Sequence, residues 1–295
     1  MEKKNKVDFI GGLVLIVFSM LLGLNQTLVK IVNTGIHPLF QVGLRSLLAS
    51  IPVLLFCFIF KKKLSISDGS LLPGIICGSL FGIEFVFLFF ALEYTSVARS
   101  SILFYSMPVW LGIAAHFLIK DEELNFKKVI GFVLSIFAIF IALFSKNKIG
   151  EGGVLGDLFA LFASFLWAAI VLIVRKTNLK KSTPEMQLLY QLIVSSIIIL
   201  PISVYFGNFF RELSPLIISI FIFQFLVIVA AGFLTWFWVL SIYPASSMAS
   251  FSFFAPIFGV MFGWLILKEE ISILIIISLL FVSVGIYLIN ANDQK

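Results

Sequence analysis

Charge is scarce in this chain. Of its 295 residues only 12% are charged, where a soluble domain carries about 25%. That shortage excludes an ordinary water-soluble globule, because too little polar surface exists to coat one. Histidine and cysteine are scarcer still, with two of each: His37, His116, Cys57 and Cys77. His37 falls in a loop and His116 near the far end of an apolar run, so no metal centre is expected, and no cofactor. No HExxH, GxSxG or phosphate-cradling GxxxxGK[ST] segment occurs. An ATP-driven pump would need the last of these on this chain or on a partner, which leaves an ion gradient or the substrate's own gradient as the energy source. Both cysteines lie inside apolar runs and read as small packing residues; nothing requires a disulfide. The ten-residue in-out alternation of a transmembrane barrel is missing as well.

What the chain has instead is apolar length. Hydrophobic residues make up 61% and the mean hydropathy is +1.14. A membrane-spanning helix needs roughly 20 apolar residues, and lipid leaves no backbone group unpaired, so runs of this length are helical. Ten fit: residues 9–32, 37–60, 70–93, 97–119, 126–144, 154–175, 184–206, 214–242, 246–267 and 271–290, here spans 1 to 10. The fold expected is all-α integral membrane with ten transmembrane helices. The basic opening "MEKKNK" before span 1 resembles a signal peptide, but no small-residue cleavage site follows, and span 1 is read as retained. The net charge of +6 does not point to nucleic acid, since the basic residues sit in short loops. Lys61–Lys63, Lys127, Lys128, Arg175, Lys176, Lys180 and Lys181 fall on one side with the N-terminal lysines. By the positive-inside rule both termini are expected to be cytoplasmic.

The sequence also repeats itself. "EFVFLFFALEYTSVARSSILFYSMPVWLGIAAHFLIKDEE" (Glu84 to Glu123) has a partner in "WVLSIYPASSMASFSFFAPIFGVMFGWLILKEE" (Trp238 to Glu270). Each holds a short polar turn, a helix with an internal proline and a Lys-acidic stop. Pro256 and Lys268 follow Pro108 and Lys120 by the same 148 residues. Pro38 and Pro184 open spans 2 and 7 in turn. Two copies of five spans, 9–144 and 154–290, follow. Five is odd, so the second copy enters the membrane from the opposite side: an inverted repeat, whose exchange of conformations turns an inward-open cavity outward.

These segments resemble the EamA-type permeases of the drug/metabolite transporter superfamily. The resemblance rests on "LGLNQTLVK", "HPLFQVGLRSLLA", "FALEYTSVARSSILFYSMP" and "DEELNFKKVIGFVLSIFAIFIAL", and on their second copies. Two departures stand out: Leu22 replaces a tryptophan common late in the first helix, and Ser278 stands where Gly131 sits in the first copy. The resemblance implies spans 1–4 and 6–9 around a central cavity, with 5 and 10 to the side. It implies a secondary transporter, mostly an exporter, in a bacterial inner membrane. Amino acids and related metabolites lead the expected substrates, and organic cations are the alternative. A membrane enzyme or assembly partner would need a cluster of His, Asp or Ser at one depth, which the sequence does not show. The partners implied are the small-molecule substrate and the lipid bilayer, with protons as the candidate coupling ion and the chain a monomer or a homodimer.

Within the spans, a few polar residues stand out. Glu84 lies roughly 15 Å deep in span 3 and Arg45 roughly 12 Å deep in span 2, at 1.5 Å per residue. A carboxylate at membrane depth faces a cavity or a partner, so Glu84 is either a proton-carrying or substrate-binding group or one side of a structural pair with Arg45. Arg45 either locks to Glu84 or clamps a substrate carboxylate bidentately. Arg99 lies shallower, on span 4. Lys30 and Glu93 are read as interfacial residues that snorkel. Tyr105, Trp110 and Trp167 offer rings to a cavity, against membrane-interface anchoring as the other reading. Pro108 and Pro256 each remove a helical hydrogen bond and are candidate gating kinks. Gly74, Gly78 and Gly82 read as a close-packing stripe. Ser246, Ser247 and Ser250 offer hydroxyls at the start of span 9.

Overall fold

A computed structural model describes residues 7–119, 125–144, 153–207, 209–243 and 251–290. The charged stop at 120–123 and Ser246, Ser247 and Ser250 lie outside them. The described chain is all helical: α1 (Phe9–Asn33), α2 (Pro38–Ile59), α3 (Leu71–Tyr94), α4 (Val97–Phe104), α5 (Met107–Leu118), α6 (Phe126–Phe144), α7 (Gly153–Lys176), α8 (Pro184–Phe206), α9 (Pro215–Phe223), α10 (Gly232–Ile242), α11 (Phe254–Leu267) and α12 (Ile273–Asn290). A π-helix, Gln224–Ala231, joins α9 to α10 without a break. Among the described residues nine stretches are long and apolar enough to cross a membrane, with α4–α5 and α9–α10 each counting as one; α11 is shorter.

The boundaries follow local chemistry. Proline opens α2, α8 and α9 at the first helical position, where its missing N–H has no partner to lose. Thr183 and Ser214 cap α8 and α9 by accepting from the N–H of Met186 and Ile217. The fourth span is broken: α4 ends at Phe104, Tyr105 and Ser106 turn, and α5 restarts at Met107. Pro108 therefore sits in the first turn of α5 and Pro256 in the first turn of α11. Both are placed where a helix begins, not in the middle of one.

Taking the end where α1 finishes as the top, side-chain contacts fix the helix directions. α3 and α7 are antiparallel, with Thr95 beside Asp157 at the top and Cys77 beside Ile170 lower down. α3 and α8 are parallel: Gly74, Gly78 and Gly82 lie in turn against Tyr190, Val194 and Ser195. The glycine stripe is thus a packing face, as its spacing suggests. α6 and α12 are antiparallel, with Ser278 Oγ donating to the Ala138 carbonyl at 2.6 Å and Gly131 lying against Ile289. α1 crosses α11 where Gly23 meets Gly259. Phe9 and Asn290 both lie at the bottom, where Tyr243 Oη donates to Asp8 at 2.6 Å and Asn290 to Ser252 at 3.3 Å. Cys57 and Cys77 are buried and unlinked.

Candidate functional site

α2 and α3 bring together a set of polar side chains without the partners that burial demands. Arg45 is 2% exposed, and its guanidinium carbon lies 4.4 Å from the ring centre of Phe85 and 4.6 Å from that of Phe89. These rings are one turn apart on α3 and form an aromatic cradle for the cation. Its Nη1 donates to nothing. Glu84 is likewise 2% exposed, with Oε2 unpartnered. The two feel each other's charge, yet no ion pair joins them among the described residues. The Arg45–Glu84 pair, one of the two readings that their shared depth left open, is therefore not formed. Equal depth does not imply contact: Glu84 precedes Phe85 by one residue, about 100° around α3, and the arginine has settled on the phenylalanine face. Further buried atoms without partners are Asn25 Oδ1, Gln26 Nε2 and Asn33 Oδ1 on α1, Gln41 Oε1 on α2 and Gln224 Nε2 on the π-helix.

At the top of the molecule Lys30, Arg99, Asp157 and Glu269 find partners. Glu269, which follows α11, accepts from the backbone N–H of Val97 at 2.8 Å and of Ala98 at 3.1 Å. It thereby caps α4, where the helix dipole favours an anion. Lys30 lies 3.6 Å from Glu269 and donates to the Thr95 carbonyl. Asp157, at the start of α7, accepts from Thr95 Oγ1 at 2.7 Å and forms a buried ion pair with Arg99. Arg99 thus belongs to this closure and not to the surroundings of Arg45, and Lys30 is tied in where snorkelling was expected. Glu93 does sit near the surface, paired with Arg211 at 2.8 Å. Nearby, outside the spans, burial and Arg211 push the His37 imidazole below its usual pKa, while Glu93 pulls the other way.

A family model described as the EamA-like transporter family matches residues 9–144 and 154–291. The chain belongs to this family. It is therefore a multi-pass integral membrane transporter. Among its relatives, the uncharacterised transporter YoaV of Bacillus subtilis is 29% identical over 263 residues, covering 87% of this chain and 89% of that protein. A probable amino-acid metabolite efflux pump of Escherichia coli is 23% identical over 288 residues, covering 94% and 93%. A solved crystal structure shares the fold at a TM-score of 0.65 and 14% identity, over 95% of this chain and 94% of that one.

The EamA-like chain gathers only some of the aromatic candidates near Arg45. Trp167 stacks on Phe104 at 5.0 Å and meets Tyr105 edge-on at 6.2 Å. All three pack in the buried cluster that holds Phe85 and Phe89. Tyr105 Oη donates to the Leu22 carbonyl at 2.9 Å, which places that carbonyl beside the α4–α5 break. Trp110 faces elsewhere. Its indole N–H donates to Ser106 at 3.0 Å, its ring lies against Phe165, and it packs with Val109 and Phe132. Gln41, Gln224 and the π-helix that carries Gln224 escaped the sequence reading, although an amide in an apolar run such as "FIFQFLV" was a signal of the same kind as Glu84.

Proposed function

We propose that this EamA-like transporter is a secondary exporter of a small zwitterionic metabolite, an amino acid or a close relative, working by alternating access in a bacterial inner membrane. The observation that carries this reading is Arg45: a permanent cation, buried between two phenylalanines, with Nη1 unpartnered. Unpaired buried charge is strongly unfavourable, and a substrate carboxylate answers it bidentately. The probable amino-acid metabolite efflux pump among the relatives points the same way. An organic cation would leave Arg45 unanswered, which disfavours that alternative. Glu84, unpartnered on the adjoining face of α3, is assigned the coupling proton.

The pathway is assigned to the interface of two inverted five-helix repeats, 9–144 and 154–290, with both termini cytoplasmic. Supporting this, α1 runs upward while α7 runs downward, and both ends of the described chain lie at the bottom. The Glu269–Lys30–Arg99–Asp157 network then closes the outer end. Pro108 and Pro256 mark the breaks about which α5 and α11 would pivot, and Tyr105 and Trp167 wall the site. The test uses proteoliposomes with an imposed pH gradient. Glu84→Gln is expected to abolish the dependence of amino-acid flux on that gradient while flux down the substrate's own gradient persists. Undiminished coupling would discard the proton role.

A further inference from the structure

Gln224 opens the π-helix, whose i→i+5 hydrogen bonding widens the turn and re-aims side chains; such segments recur at functional sites. Its side chain meets Gln41 of α2: Gln41 Nε2 donates to Gln224 Oε1 at 3.3 Å. Both residues are 0% exposed, yet Gln41 Oε1 and Gln224 Nε2 have no partner. The bond between the two amides uses the NH₂ of Gln41 and the carbonyl of Gln224, and leaves the carbonyl of Gln41 and the NH₂ of Gln224 without a partner. Buried amides left half-satisfied are costly. Gln41 also stands one turn before Arg45 on the same face of α2, where Cβ atoms are about 6 Å apart. A cation with free donors and an amide with a free carbonyl oxygen are thus set side by side. An α-amino acid presents the complement, a carboxylate and an ammonium on one carbon. Around them Phe85, Val229, Ala230 and Phe225 belong to one apolar cluster, which suits an uncharged side chain.

We propose that Gln41 accepts the substrate's ammonium while Arg45 takes its carboxylate, and that Gln224 is the positioning residue that turns the Gln41 carbonyl toward the substrate by holding its NH₂. This rests on the assignment of Arg45 as the carboxylate site. It makes the head group of an α-amino acid with an apolar side chain the recognised unit, and leaves Glu84 free for the proton.

The test is thermal stabilisation of the purified chain by three matched probes: L-leucine, leucinamide and 4-methylpentanoate. For the unaltered protein, leucine binds at least tenfold more tightly than 4-methylpentanoate, and leucinamide does not bind. Gln41→Leu brings the leucine preference below threefold. Gln224→Leu lowers it part of the way, and the double variant goes no further than Gln41→Leu. A purely structural role for the pair would change the melting temperature and leave the preference intact. Retention of the tenfold preference in Gln41→Leu overturns the inference while leaving Arg45 in place. Where Gln224→Leu does not fold, Gln41→Leu alone decides. Binding of leucinamide as tight as leucine, or unaltered leucine binding by Arg45→Gln, overturns the carboxylate site itself, and this inference with it.

Discussion

The top closure and the mid-depth set hold similar residues in opposite conditions. At the top, Glu269 has two backbone N–H donors and a lysine, and Asp157 has an arginine and a hydroxyl. At the depth of Arg45, a guanidinium rests on two rings, a carboxylate oxygen faces no donor, and two amides share one bond. Asp157, Arg99 and Glu269 are buried as Arg45 and Glu84 are, so solvent does not explain the contrast. A buried charge with its partners in place is part of the architecture. A buried charge without one describes a ligand by what it lacks. On the proposed function, the difference separates residues that hold the outer end together from residues that bind the substrate.

The contrast can be broken most sharply at Asp157. Asp157→Ala strands Arg99 in a buried site and is expected to lower stability by about 3–5 kcal/mol, read as a fall in the melting temperature of the detergent-solubilised protein. Arg45→Met is the opposite case. It removes a charge that has no partner, so the substrate-free protein is expected to melt no lower than the parent, while substrate flux falls at least about a hundredfold, or about 2.7 kcal/mol. A large loss of stability in Arg45→Met would erase the distinction between the two regions. Glu269→Gln keeps the shape of the cap but loses its charge against Lys30 and the α4 dipole. A cost of about 1–2 kcal/mol is expected, and the top should open more often, measured as faster labelling of a cysteine placed at Ser101.

The smallest effect concerns pH at the rim. His37 has its pKa lowered from 6.5 by burial first and Arg211 second, against Glu93. Its folded pKa lies below its unfolded one, so the unfolded chain takes up the proton first. The contribution is fully present above pH 6.5 and is lost as the pH falls from there through the folded value. A modest decline in melting temperature over that window is expected, and His37→Gln should remove it.

Much of the architecture was legible because it is written in hydropathy. Spans 1, 3 and 6 fall within a residue or so of α1, α3 and α7, since lipid punishes any error in apolar length. Helix starts were legible where proline marked them, at Pro38 and Pro184. Rotation about the helix axis was not. Arg45 and Glu84 share a depth, but depth does not report which ridge a side chain follows, and the phenylalanines at 85 and 89 took the arginine. The role of Glu269 was hidden for a related reason. In sequence it closes a span; in space it caps a helix that begins at Val97, far away along the chain. The π-helix leaves no mark in "QFLVIVAA", because one extra residue per turn changes hydrogen bonding and not composition.

The glycine stripe on α3 has a mechanical consequence. Where Gly74, Gly78 and Gly82 run along parallel α8, the side chains of Tyr190 and Val194 fill the notches the glycines leave. Helices keyed in this way resist axial slip, so α3 and α8 are coupled as one unit. Glu84 and the two rings under Arg45 ride on that unit, so any displacement of α8 would carry the proposed proton site and the cradle together.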